Sequence, residues 1–357
     1  MKQKLSRSGA EGRRAIDFRH SCTRVQPNGR VVFLMTESAT TRRHGRKAGE
    51  RELGRVLVTG AGGFLGTAIV TELQAMNVDV VASDIGPVAL ACAGMIHCEV
   101  TDFNQVGAVV EGGGFTTILH CGAVSGPMVM PDRPLDIWRI NAGGTANILE
   151  VARRHGVGRI IVCSTSEVYG NQSGRVDETT PPLTSTVYGA SKLAGEQAMM
   201  GYVHDHGLDA IALRLSWIYG PGRQTPTMLD RLIRTTLRGE NSSLAIPADT
   251  YTHYLHIHDA VQGTLAAATA EKADARIFNI TSGRGIVMSD VVGIITDLYP
   301  DVTVTCAQPD PVARGISKIA NGLAKRDIGF KPLVPLSEGL AALCRALQHE
   351  REGRPPA

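Results

Sequence analysis

The stretch Arg55–Gly66, RVLVTGAGGFLG, decides how this chain is read. Val56, Leu57 and Val58 form a short apolar run of the length and β-branching that a strand buried on both faces takes. The run stops at Gly60, Gly63 and Gly66, and an amphipathic helical pattern follows from Leu65 to about Met76. In a strand–turn–helix unit the first glycine permits the sharp turn and the second lets backbone approach a pyrophosphate. The third lets the helix pack closely on the strand. The helix start adds free N–H groups and the positive end of its dipole. The stretch therefore predicts a dinucleotide site.

The alternation continues outward from there. Val78–Ser83, Ile96–Glu99, Thr117–His120, Arg159–Cys163 and Ala210–Leu215 read as further strands, with helices expected over Leu135–Arg154 and Val187–Asp205. Strands and helices at this spacing specify an α/β fold, a doubly wound parallel sheet of Rossmann type. Beyond Trp217 the texture changes to helical stretches (Met228–Arg238, Ser289–Leu298, Leu336–Gln348) joined by proline-rich connections such as Pro309–Pro311 and Pro332–Pro335. The expected organisation is a basic, disordered head at 1–52, a cofactor-binding domain at 53–215 and 253–280, and a smaller, mostly C-terminal lobe at 216–252 and 281–350 that binds substrate.

With 357 residues, the chain is long enough for two lobes. Its net charge of +3 hides an asymmetry: residues 1–52 hold 13 Lys/Arg against 5 Asp/Glu, and the remainder 24 against 29. The body is mildly acidic, so no nucleic-acid partner is expected. No apolar run approaches the ~20 residues that span a membrane, so no membrane partner is expected either. The head suits an Arg-rich transit peptide or, since Met35 offers a later start, an over-extended chain. Seven cysteines without a CxxC pair point to a reducing, cytoplasmic setting rather than a disulfide framework or a zinc site.

Asp84 ends the second strand, 24 residues past Gly60. A carboxylate there accepts hydrogen bonds from the ribose hydroxyls of NAD and repels a 2′-phosphate, so NAD is expected over NADP. Glu99 and Val100 end the third strand where an adenine edge belongs. Three elements suggest the chemistry. Thr165, after the fifth strand, can present a hydroxyl to a substrate oxygen. Tyr188 and Lys192 lie four residues apart, on one face of a helix. A free phenol titrates near ~10, and a neighbouring ammonium favours its phenolate, the form a general base needs.

The pieces TGAGGFLG, Asp84, HCGAVS (120–125), NAGGT (141–145), STSEVYG (164–170), YGASK (188–192) and RLSWIYGPG (214–222) resemble the extended short-chain dehydrogenases/reductases, the NAD-dependent epimerase/dehydratase family, over about Arg55–Gln348. The resemblance implies Phe64 and Leu65 at the pyrophosphate. It implies Cys121, Gly122, Ala123 and Ser125 along the cofactor beside the nicotinamide ribose, Asn141 supporting that wall, and Ser216 at the end of the sixth strand. It further implies Thr165, Tyr188 and Lys192 as catalytic hydroxyl, acid/base and electrostatic partner, with Lys192 also on the ribose hydroxyls, and a homodimer. Glu167 is similar to the glutamate that takes part in acid/base steps of sugar-nucleotide dehydratases and decarboxylases, and it equally suits a structural role, hydrogen-bonding the loop before Gly170.

Two positions depart from that pattern. Where relatives acting on nucleotide-diphosphate sugars carry a phosphate-gripping arginine, this chain has Thr252, in THYLHIHD (252–259), and Ser216–Trp217 stand where an asparagine is common. Arg223, Arg231 and Arg234 are the available substitutes. His253, His256 and His258 do not converge at their spacing on a strand-like stretch, so packing and capping are expected of them, and no metal. The expected function is NAD-dependent oxidation of a carbohydrate-like secondary alcohol (sugar acid, polyol or sugar). The alternative is a nucleotide-sugar epimerase or dehydratase/decarboxylase with retained NAD.

Overall fold

The computed structural model describes residues 21–25, 31–35, 51–86, 94–126, 129–309 and 315–353. Seven parallel strands form the central sheet: β1 (Val56–Thr59), β2 (Val80–Asp84), β3 (Ile96–His97), β4 (Thr117–His120), β5 (Arg159–Thr165), β6 (Ala210–Leu215) and β7 (Ile277–Ile280). Their order is β7-β6-β5-β4-β1-β2-β3, so the chain winds one way from β1 and the other way from β4. A crevice opens at the carboxyl ends of the strands where the winding reverses.

Period-two strands sort the core into two layers. Val56, Val58, Leu119, Ile161, Ile211 and Leu213 face α1 (Phe64–Ala75) and a later helix at Ile257–Thr269. Leu57, Ile118, Ile160, Val162, Ala210 and Ala212 face α2 (Phe103–Val110), α3 (Gly144–Arg154) and α4 (Val187–His206). A third core joins α5 (Met228–Leu237), α7 (Met288–Leu298) and α8 (Leu336–Arg351), α6 being the helix at Ile257–Thr269. Leu232, Ile233, Val291, Ile295, Leu340 and Leu343 fill it, with Tyr219 and Tyr254 at its sheet side. Among the described residues no helix is long and apolar enough to cross a membrane.

The structure departs from the sequence expectation in four places. The helix expected over Leu135–Arg154 is a short turn at Pro134–Trp138, a π-helical turn at Arg139–Gly143, and then α3. Gly143 and Gly144 weaken the α-ladder there, and π-turns of this kind gather at functional sites. Helix α2 is too short to show a period in sequence, but Asp102 caps it, accepting from Asn104 and Gln105 N–H. The histidine-rich stretch turns from strand (Tyr254–His256) to α6 at Ile257. Within the head expected to be disordered, Ser21–Val25 pairs antiparallel with Val31–Met35, Ser21 opposite Met35. The rest of the head up to residue 50, and residues 310–314 after Pro309, lie outside the described residues.

Candidate active site

Gly60 sits at φ +67°, and a Cβ there would stand 2.5 Å from the Gly122 nitrogen and 2.6 Å from the Cys121 carbonyl carbon. At Gly66 a Cβ would meet the Gly60 oxygen at 2.1 Å, so only glycine lets α1 lie this close to β1. No side chain caps α1 at Gly63, which leaves its N-terminus as a place for phosphate. Asp84 ends β2 beside the turn. Its Oδ2 accepts from the Gly62 N–H at 2.9 Å and its Oδ1 from the Ile85 N–H at 2.7 Å. These features fit a dinucleotide: a bare turn, a helix start and a carboxylate at the second strand end.

The turn opens on a cleft of about 970 Å³. Gly60, Gly63, Phe64, Leu65, Gly66 and Asp84 line it at one end, with Val100, Cys121, Gly122, Ala123 and Ser125 along one wall. Thr165, Glu167, Tyr188, Lys192 and Ser216 line its deeper part. Two expected residues do not. Glu99 is exposed and off the lining, its carboxylate accepting from the Thr101 hydroxyl at 2.6 Å, while Cys98 and Val100 on either side face in. Alternation past β3 is the reason. Asn141 is fully buried behind the wall. Its Oδ1 accepts from the Val124 N–H at 2.8 Å and its Nδ2 donates to Ser191 Oγ at 3.0 Å, so it ties the wall to α4.

Thr165 ends β5, its hydroxyl accepts from the Glu167 N–H at 3.2 Å, and it lowers the pKa of the Tyr188 phenol. Tyr188 lies in the first turn of α4, whose cap is Thr186, accepting from the Gly189 N–H at 3.0 Å. Burial pushes the phenol up to about 12. The Thr165 hydroxyl and the Arg223 guanidinium pull it down, and the Glu167 carboxylate pushes it up. Lys192 lies one turn along, buried, and donates to the Cys163 carbonyl at 2.7 Å. The sequence assigns Lys192 the task of acidifying Tyr188. Here its ammonium donates to that carbonyl, and the Arg223 guanidinium also lowers the pKa of the phenol. Burial lowers the Lys192 pKa. Beneath the site Glu196 of α4 binds Arg214 of β6 at 2.7 Å and accepts from the Ser164 hydroxyl at 2.5 Å, which fixes the helix to both strands.

Trp217 lines the cleft without a role assigned from sequence, beside two of the arginines named there as possible diphosphate donors. The Trp217 indole donates to the Glu167 carboxylate at 3.0 Å. Arg223 lies over the Phe64 ring at 5.6 Å, and donates to the Ile218 and Thr225 carbonyls. Arg231 also lines the cleft, whereas Arg234 is paired with Asp230 and Glu350. Thr252 is buried and its hydroxyl donates to the Ile286 carbonyl at 2.9 Å, away from the cleft. His253 bonds the Ile316 carbonyl, and His256 caps α6 by accepting from the His258 N–H. Among the described residues no group of His, Cys, Asp and Glu is arranged to hold a metal.

Residues 56–281 match the family model described as the NAD dependent epimerase/dehydratase family. The chain is 27% identical over 328 residues to UDP-glucuronate 4-epimerase 4 of Arabidopsis thaliana, which covers 81% of this chain and 74% of that protein. It is 30% identical over 208 residues to dTDP-glucose 4,6-dehydratase of Streptomyces griseus, spanning 57% of this chain but only 63% of that relative. The solved UDP-glucose 4-epimerase of Thermotoga maritima, with UDP-glucose, superposes with a TM-score of 0.76 at 25% identity, over 83% of this chain and 99% of that one.

Proposed function

We propose that this chain, which belongs to the NAD-dependent epimerase/dehydratase family and is an NAD-dependent enzyme of the extended short-chain dehydrogenase type, carries out net oxidation of a carbohydrate-like secondary alcohol such as a sugar acid or polyol. The observation that supports this is the meeting of Thr165, Tyr188 and Lys192 in the cleft that the glycine turn opens. On this reading residues 53–215 and 253–280 carry the cofactor, and 216–252 with 281–350 enclose substrate. Gly60, Gly63, Phe64, Leu65 and Gly66 hold the pyrophosphate, Asp84 the adenosine ribose and Val100 the adenine. Cys121–Ser125, Ser216 and Lys192 hold the nicotinamide half.

When bound, NAD supplies the hydride acceptor and a positive ring that favours a phenolate. Tyr188 takes the proton from the substrate hydroxyl, and Thr165, which lines the cleft with it, orients the same oxygen. A phenol at about 12, even with Arg223 and Thr165 lowering it, is protonated at neutral pH, so the positive ring of bound NAD would have to bring it towards working range. The small-substrate reading rests on Thr252, whose hydroxyl is spent on a backbone carbonyl. No cation stands there to bind a diphosphate.

A second reading, a nucleotide-sugar epimerase or dehydratase that returns the hydride, is favoured by Arg223 and Arg231 in the cleft and by Glu167 next to Tyr188's pair. A panel of sugar acids, polyols and nucleotide sugars with added NAD, followed at 340 nm, separates the two. The expected outcome is NADH accumulating in step with product from a small alcohol. Turnover of a nucleotide sugar without net NADH would transfer the case to the second reading.

A further inference from the structure

Cys121 and Cys163 have no part in the hydride chemistry, yet they meet in the cleft wall. Cys121 follows β4 directly and Cys163 lies within β5, one step past the paired His120 and Val162. Their sulfurs are 3.5 Å apart, both side chains are on the α1 and α6 side of the sheet, and both line the cleft. Neighbouring strands place such residues within the ~4.4–6.8 Å Cα separation that a disulfide spans. Both are free thiols in this structure. Each is also tied to the cofactor machinery through backbone. The Cys121–Gly122 peptide packs under Gly60, within 2.5–2.7 Å of where a Cβ would stand. The Cys163 carbonyl is the acceptor of the Lys192 ammonium.

We propose that Cys121 and Cys163 form a reversible disulfide under hydroperoxide, and that this bond weakens NAD binding. The contact with Cys121, together with the nearby Lys192 ammonium, holds the Cys163 thiol pKa down, so Cys163 is the sulfur that reacts first. Its thiolate attacks the peroxide: an S–O bond forms, the O–O bond breaks, and hydroxide leaves and is protonated to water. The Cys121 sulfur then attacks the sulfenic sulfur. The S–S bond forms, the S–O bond breaks, and a second water departs. Two thiols are oxidised by two electrons and one hydrogen peroxide is reduced to two waters. Closing the sulfurs from 3.5 Å to the ~2.05 Å of a disulfide draws the Cys121–Gly122 wall towards β5 and away from its fit under the glycine turn. The cleft admits a small peroxide when empty, and bound cofactor shields it.

The test treats the full chain with hydrogen peroxide, maps disulfides by mass spectrometry after thiol trapping, and measures NAD affinity by calorimetry. The expected result is a Cys121–Cys163 cross-linked peptide whose formation NAD slows, a Kd for NAD raised about tenfold, and full recovery with dithiothreitol. Cys163→Ala should keep its own Kd unchanged through the same treatment. The proposal is overturned if peroxide gives no Cys121–Cys163 peptide, if the cross-linked wild-type protein binds NAD as before, or if Cys163→Ala loses affinity as much as wild type does. The readout is cofactor affinity, so it stands apart from the substrate assignment.

Discussion

Tyr188 has its proton affinity set by opposing neighbours, and the balance makes its role measurable. Tyr188→Phe deletes the proton carrier and leaves the glycine turn untouched. Turnover should fall ~10²–10⁴-fold while NAD affinity stays as it was. Retention of a tenth of wild-type kcat would move the base elsewhere. Because burial holds the phenol up at about 12 and Arg223 pulls it down, the rate of alcohol oxidation should rise with pH. In Arg223→Met the whole rise should move to higher pH, since a neighbouring cation that favours the phenolate is gone. An unmoved kcat/KM–pH profile would show that Arg223 does not act on the base. Asp84 gives a second residue-scale expectation. Its carboxylate, fixed by the Gly62 and Ile85 N–H groups, should repel a 2′-phosphate, so NADP should bind far more weakly than NAD in a calorimetric titration. Equal affinities would place the ribose contact elsewhere.

Helix α4 delivers both Tyr188 and Lys192, and its seating on the sheet decides whether they reach the site. Glu196 and Arg214 hold its middle through a buried ion pair, a kind of contact whose one-sided loss costs ~3–5 kcal/mol. Its first turn is held differently, by the absence of a side chain at Gly189. A Cβ there would stand 2.0 Å from Thr184 Oγ1 and 3.0 Å from the Glu167 carbonyl oxygen. In an open helix Gly→Ala gains ~0.8–1 kcal/mol from propensity. Here the clash outweighs that gain, since the Glu167 carbonyl belongs to the backbone behind Thr165. Gly189→Ala is therefore expected to lower both the melting temperature and kcat, the latter by about tenfold or more, since small misplacements of reacting groups are costly. A more stable variant with full activity would show that the first turn has room to spare.

At the scale of the molecule, the sheet supplies one half of the cleft and the elements after Trp217 the other, so substrate size is set where the two meet. With Thr252 turned into the protein, UDP or a UDP-sugar at millimolar concentration should leave the melting temperature unchanged. A ligand present at 100 times its Kd would stabilise by ~2.7 kcal/mol, a shift that thermal melting detects easily. A clear UDP-dependent rise, with NAD co-purifying, would mean that Arg223 and Arg231 grip a diphosphate and that the epimerase or dehydratase reading holds.

The sequence by itself determined the doubly wound sheet, the glycine turn and the strand-end position of Asp84, because each follows from local rules: period, turn geometry and distance along the chain. It also brought Tyr188 and Lys192 to one helix face, since four residues are one turn. What it left open depends on how distant segments meet. Alternation past β3 turns Glu99 out and Cys98 in, a choice fixed only by the register with β2. Trp217 reaches Glu167, and the Arg223 charge acts on Tyr188, across gaps of tens of residues. In the π-turn that breaks the Leu135–Arg154 helix, Asn141 bonds both Val124 and Ser191, a pairing that joins distant segments. The contact of Cys121 with Cys163 exists because β4 and β5 are neighbours, and strand order is decided by packing of the whole sheet rather than by any stretch of sequence.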